Sequence, residues 1–93
     1  MSVANLSNTG RDERWLTCQL DKGMFSDEVA VTYPPSGSLQ TSVFVGVHTV
    51  KGATGNRGKV RVRLIRRNGS LLAILPSADQ DIVSVSEQDV SEE

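Results

Sequence analysis

The sequence is poor in the residues on which catalytic and metal sites usually depend. Its 93 residues include one cysteine, Cys18, and one histidine, His48. A single thiol cannot form an internal disulfide, and these two side chains cannot supply the donor set of a structural zinc site. No serine lies in a nucleophile-elbow sequence, and adjacent acids such as Asp12 and Glu13 point to opposite faces of a strand. The sequence therefore predicts no enzyme, no metal and no cofactor.

Long apolar runs are also missing. No stretch approaches the ~20 residues that a membrane-spanning helix requires. The first ten residues lack the basic start and apolar middle of a secretory signal. We therefore expect no membrane contact and a cytoplasmic location, and we expect Cys18 to be a small packed side chain rather than a reactive thiol.

Aromatic residues make up only 4% of the chain, and this scarcity bears on nucleic-acid recognition. The aromatic residues are Trp15, Phe25, Tyr33 and Phe44, and none lies in the basic stretch described below. Protein surfaces that read unpaired bases usually stack them on aromatic side chains. A basic surface without such platforms predicts contact with phosphates more than recognition of bases.

A near match to a phosphate-binding loop occurs at residues 53–59, which end in Gly58 and Lys59. The functional motif needs Ser or Thr after the lysine to hold magnesium, followed by a helix whose amides face the phosphates. Here Val60 follows the lysine, and a strand-like pattern begins. We therefore expect no nucleotide and no small-molecule substrate.

The dominant pattern between the chain ends is an apolar residue at every second position, which is typical of strands with one buried face. It predicts five or six short strands, and Gly46 should bend the longest of them, at residues 41–50. A small barrel is the economical architecture because closure removes exposed strand edges. Short strands and a late hairpin favour an SH3-like barrel over an OB-like barrel or a sandwich. We expect one all-β domain at residues 13–89, a flexible tail at 1–12 and an acidic tail at 90–93.

The best-defined element is a hairpin at residues 59–75. Asn68 and Gly69 are typical of a two-residue type I′ turn, which needs a positive φ at both positions. That turn pairs Leu64 with Ala73 and Arg63 with Ile74. One face of the hairpin should therefore be apolar, while the other combines arginines with aliphatic side chains.

Charge is divided along the chain although the net charge is only −1. Residues 51–67 hold seven basic residues and no acid, whereas residues 79–93 hold six acids and no base. The basic stretch coincides with the first arm of the hairpin. We therefore take as candidate partner-binding residues Lys59, Arg61, Arg63, Ile65, Arg66, Arg67, Leu72 and Ile74.

Two functions fit this hairpin. An apolar patch rimmed by charge is typical of protein contacts, so the first is a non-enzymatic protein-interaction module, of which a homodimer is one form. A row of basic side chains can contact successive phosphates, so the alternative is an RNA- or DNA-binding domain that uses residues 57–67. Arginines that are merely solvated, or that pair with the acidic C-terminal segment, would explain the same pattern without a partner.

Overall fold

The structure is a computed structural model that describes residues 13–93. The flexible tail that we expect at residues 1–12 lies outside the described residues. The described chain is almost entirely β-structure, with two short 3-10 turns, at Val47–Thr49 and Glu87–Asp89. Its strands are β1 (Glu13–Lys22), β2 (Glu28–Tyr33), β3 (Thr41–Gly46), β4 (Val50–Lys51), β5 (Arg57–Arg67), β6 (Ser70–Ile74), β7 (Ile82–Ser84) and β8 (Val90–Ser91).

The strands form one antiparallel sheet that curls into a nearly closed barrel. The order across the sheet is β3-β2-β1-β5-β6-β7, so two three-stranded meanders meet where β1 pairs with β5. A single bridge between Val45 of β3 and Ser77, just after β6, brings the two ends together. The prediction of an all-β barrel with five or six strands is confirmed. The described part of the chain contains no helix that could span a membrane.

The β5–β6 hairpin has the predicted register. Leu64 lies opposite Ala73, Arg63 opposite Ile74, and the turn residues Asn68 and Gly69 have φ values of 52° and 81°. A two-residue turn with both φ values positive matches the twist of the flanking strands. The turn chemistry therefore sets which side chains share a face.

The core lies inside the barrel and is built from the alternate residues of these strands. Its largest fully buried side chains include Leu16 and Leu20 of β1, Val60 and Val62 of β5, and Leu75. Glycine is required at position 58, because a Cβ atom there would collide with the side chain of Leu20 in β1 and the main-chain oxygen of Lys51 in β4.

Two predicted boundaries differ from the structure. The strand expected at residues 41–50 ends at Gly46. The 3-10 turn at Val47–Thr49 follows, and the Thr49 hydroxyl donates a hydrogen bond to the main-chain oxygen of Gly46. The bend predicted at this glycine is therefore present. At the other end, the expected acidic tail 90–93 begins with β8, which pairs with β1 beside Trp15 and Leu16.

The segment before β8 is fastened to the barrel by Tyr33. The Tyr33 hydroxyl donates to Asp89 Oδ2 at 2.6 Å and accepts from the main-chain N–H of Ser86 at 3.1 Å. Burial and the bond to Asp89 raise the pKa of Tyr33 above its ordinary value. This buried hydroxyl ties the C-terminal segment to the β2 strand, far from it in sequence.

Candidate functional site

The outer face of β5, β6 and β7 carries a mixed surface of arginines and aliphatic side chains, which we call the hairpin face. Arg63 lies opposite Ile74, and Ile65 lies opposite Leu72, so these four side chains form two adjacent rows. Ile82 of β7 extends the first row, because it pairs with Ile74. The hairpin face comprises Arg61, Arg63, Ile65, Leu72, Ile74 and Ile82.

The aliphatic side chains of this face remain accessible to solvent. Ile65, Leu72 and Ile74 are half-buried, and Ile82 is 57% exposed. Fully buried side chains could not contact a partner, whereas isolated exposed ones would be unremarkable. Four neighbouring aliphatic side chains on one sheet surface are a contiguous apolar patch of the kind that marks contact sites.

A concavity of about 230 Å³ opens beside this patch. Arg61 and Val62 lie between the residues of β5 that pair with β4 and those that pair with β6. The sheet is therefore open at one edge of these two residues, and the concavity lies there. Arg61, Arg63, Ile74, Pro76 and Gln80 line it together with Glu13, an acid that lies opposite Arg63 across the β1–β5 pairing. The concavity is large enough for one aliphatic side chain or a small polar group, with two guanidinium groups at its border.

The basic candidates divide into engaged and unengaged side chains. Lys59 donates to Ser91 Oγ at 3.0 Å and to the main-chain oxygen of Glu93, and Arg66 pairs with Glu87 at 3.1 Å. Both basic side chains therefore contact the acidic C-terminal segment, as we expect if these charges balance each other and bind no partner. Arg63 and Arg67, by contrast, form no ion pair with any residue in 13–93. The structure therefore brings together Arg61, Arg63, Ile65, Leu72 and Ile74, while Arg67 lies apart near the turn.

Trp15 lies beside the hairpin face, although the sequence did not indicate a role for it. It lies directly opposite Arg61 across the β1–β5 pairing. The Lys51 ammonium lies 4.1 Å from the centre of its ring, and the Arg61 guanidinium carbon lies 5.4 Å from it. Cations at these distances are attracted to an indole face. The alternation in β1 places Trp15 on the polar face of that strand, and this pattern could have marked it as a surface residue. Its contact with Arg61 could not be predicted in this way, because Arg61 is far from it in sequence.

The remaining reactive side chains lie elsewhere. His48 is exposed in the 3-10 turn after β3, whereas Cys18 is fully buried in β1. Burial raises the pKa of the Cys18 thiol to about 12, which keeps it protonated and unreactive at neutral pH. In residues 13–93 no three potential ligands among His, Cys, Asp and Glu form a metal-binding cluster.

The loop that resembles a phosphate-binding loop is bonded to the barrel. The Gly55 N–H donates to the main-chain oxygen of Leu20 at 2.7 Å, and the Asn56 N–H donates to that of Ala53 at 3.2 Å. Lys59 then lies within strand β5 rather than at the start of a helix. These two amides are directed to the protein's own backbone.

No protein-family model matches the sequence, and neither a curated protein nor a solved structure is significantly similar to it.

Proposed function

We propose that this chain is a non-enzymatic, cytoplasmic protein-interaction module that binds its partner through the hairpin face. The observation that supports this most is the combination of an apolar patch, an adjoining concavity and an arginine, Arg63, that has no ion pair within the described chain. Interfaces are enriched in arginine, and their energetic centres combine an apolar anchor with a charged or aromatic neighbour. A sheet surface of this kind suits recognition more than catalysis.

The chemistry of the face defines the partner. An aliphatic side chain placed in the concavity would contact Ile74 and Pro76, and a carboxylate beside it would pair with Arg61 or Arg63. Charge-assisted pairs between arginine and carboxylate are short and can be bidentate, so they add orientation to the apolar contact. We therefore propose a partner surface that combines aliphatic or aromatic side chains with acids.

A display library of random peptides tests this proposal. Selection on the wild-type protein should enrich peptides that combine acids with large apolar side chains. Ile74→Glu should lose at least about tenfold in affinity for the selected peptides, because it places a charge in the apolar patch and repels acids. The matched control is Leu39→Glu, since Leu39 is 90% exposed in a loop and does not line the concavity.

Two results would contradict the proposal. The first is a selection that yields no peptides, or only peptides that bind Ile74→Glu and the wild type equally well. The second is enrichment of basic peptides, which would place the binding surface away from the arginines. Circular dichroism of both variants establishes that each one is folded.

The position of Trp15 favours a second candidate function, which is binding of single-stranded RNA or DNA. An indole beside Arg61 and Lys51 combines a stacking surface with cations, as surfaces that bind single strands do. Fluorescence anisotropy with mixed-sequence oligonucleotides should then show binding at ~50 mM salt that weakens steeply as salt rises. Arg61→Ala should weaken binding, and Leu39→Glu should not. An absence of binding at the low salt concentration would end this candidate.

A further inference from the structure

A second surface, opposite in charge to the hairpin face, lies on the other side of the turn at residues 76–81. Phe25 and Phe44, which are 65% and 45% exposed, line a wide groove there together with Ala78. The acids Asp27 and Glu28 border this groove, and a neighbouring depression that also includes Phe44 is lined by Asp79 and Asp81. We call this surface the acidic groove.

Within residues 13–93 the acidic groove has no positive charge of its own. No lysine or arginine of this part of the chain lines it, and none of its four acids forms an ion pair with a residue in 13–93. Exposed aromatic side chains surrounded by unpaired acids suit a partner that offers apolar side chains together with arginines or lysines. The hairpin face of this same chain has that composition, with Arg61 and Arg63 beside Ile74 and Ile82.

The two surfaces are separated by a turn with a defined shape. Ser77 Oγ donates to Asp81 Oδ2 at 2.7 Å and accepts from the Asp81 N–H at 3.1 Å, and the Gln80 N–H donates to the Ser77 main-chain oxygen at 3.0 Å. Pro76 at the start of the turn lines both the concavity of the hairpin face and the acidic groove. The turn is thus a ridge with two arginines and one acid, Glu13, on one side and four acids on the other.

From this arrangement we propose that the partner of the module is a second copy of the same chain, related to the first by a two-fold axis beside the ridge. A two-fold axis parallel to the ridge sets the arginine side of each copy against the acidic side of the other, so two equivalent contacts form at once and the assembly closes as a dimer. Each aromatic side chain of the groove would then meet the aliphatic patch of the other copy. This inference rests on the proposed function, because it names the partner of the same hairpin face.

Sedimentation velocity over a concentration series tests the proposal. The wild type should pass from monomer to dimer with no larger species, and high salt should weaken the dimer because it screens the exposed pairs. Arg63→Glu and Asp79→Lys should each weaken association by about tenfold or more, since each brings like charges together twice. Arg57→Glu is the matched control, because it makes the same charge change on β5 away from the concavity.

Mixing the two variants provides the sharpest measurement. In a mixed dimer Glu replaces Arg63 in one copy and Lys replaces Asp79 in the other, so both contacts again join opposite charges. An equimolar mixture of Arg63→Glu and Asp79→Lys should therefore restore the association that each variant alone weakens.

Three outcomes would overturn the inference: a wild type that stays monomeric at every concentration, a dimer that neither charge reversal weakens, or species that grow beyond the dimer. A monomeric wild type that still selects acidic apolar peptides through Ile74 would leave the proposed function standing and refute only the dimer. A monomer that selects no such peptides would refute both.

Discussion

Alternate residues of the β5–β6 hairpin form its two faces, and the two faces differ in burial and composition. On the inner face Val60, Val62 and Ala73 are at most 2% exposed and form part of the core. On the outer face Arg61 and Arg63 stand between half-buried aliphatic side chains. Neighbouring positions on one strand therefore differ sharply in burial, and substitutions one residue apart should have very different effects on stability.

The largest effect is expected from placing the same acid on each face in turn. Val60→Asp buries a carboxylate without a partner, which costs several kcal/mol and should unfold a domain with a typical stability of about 5–15 kcal/mol. Arg61→Asp leaves its carboxylate in water and should cost less than about 1 kcal/mol, including the lost contact with Trp15. Urea denaturation followed by Trp15 fluorescence measures both. Equal losses in the two variants would show that the faces are not distinct.

A second effect should come from the buried thiol of β1. The pKa of Cys18 is raised to about 12 in the folded protein, whereas an unfolded thiol titrates near 9.0. The unfolded chain therefore loses its proton first, so stability is complete below pH 9 and falls as the pH rises toward 12. The expected slope is about 1.4 kcal/mol per pH unit in that window.

Urea denaturation at several alkaline pH values measures this slope. Cys18→Ala should reduce it, and the remainder should reflect Tyr33, whose pKa is also raised. Identical slopes in the wild type and Cys18→Ala would contradict a thiol buried on the inner face.

A smaller effect is expected where the C-terminal segment is fastened. Tyr33→Phe removes the hydroxyl that bonds to Asp89 and Ser86, and the loss should be about 1–2 kcal/mol. Amide hydrogen exchange should quicken at Val90 and Ser91. Thr32→Val is the comparison, because it removes only an exposed bond to Ser42 and should cost less. If the two variants lost equal stability, Tyr33 would have no special part in holding the segment.

The smallest effect is expected from the exposed ion pair between Arg66 and Glu87, whose side chains are 59% and 70% exposed. Such pairs contribute about 0–1 kcal/mol, so Arg66→Ala should change the free energy of unfolding by less than about 0.5 kcal/mol. Thermal denaturation at low and high salt checks this value. If Arg66→Ala lowered the free energy of unfolding by more than about 1 kcal/mol, the pair between Arg66 and Glu87 would stabilise the fold more than an exposed ion pair does.

The sequence predicted what local patterns determine. The Asn68–Gly69 turn set the register of the hairpin, and alternation on β5 identified Val60 and Val62 as inward-facing. The contact between Trp15 and Arg61 could not be predicted, because it depends on β1 pairing with a strand from the other half of the chain. The ridge at residues 76–81 escaped prediction for a related reason. Its position between two surfaces follows from barrel closure at Val45 and Ser77, which no local pattern records.

The short β8 strand has one further consequence. It covers the backbone of β1 beside Trp15 and Leu16, where no other strand within residues 13–93 pairs with β1 on that side. A chain shortened at residue 85 would leave these peptide groups open to solvent as an unprotected sheet edge. Such edges template the addition of strands from other molecules, so the shortened protein should aggregate during purification even where its barrel remains folded.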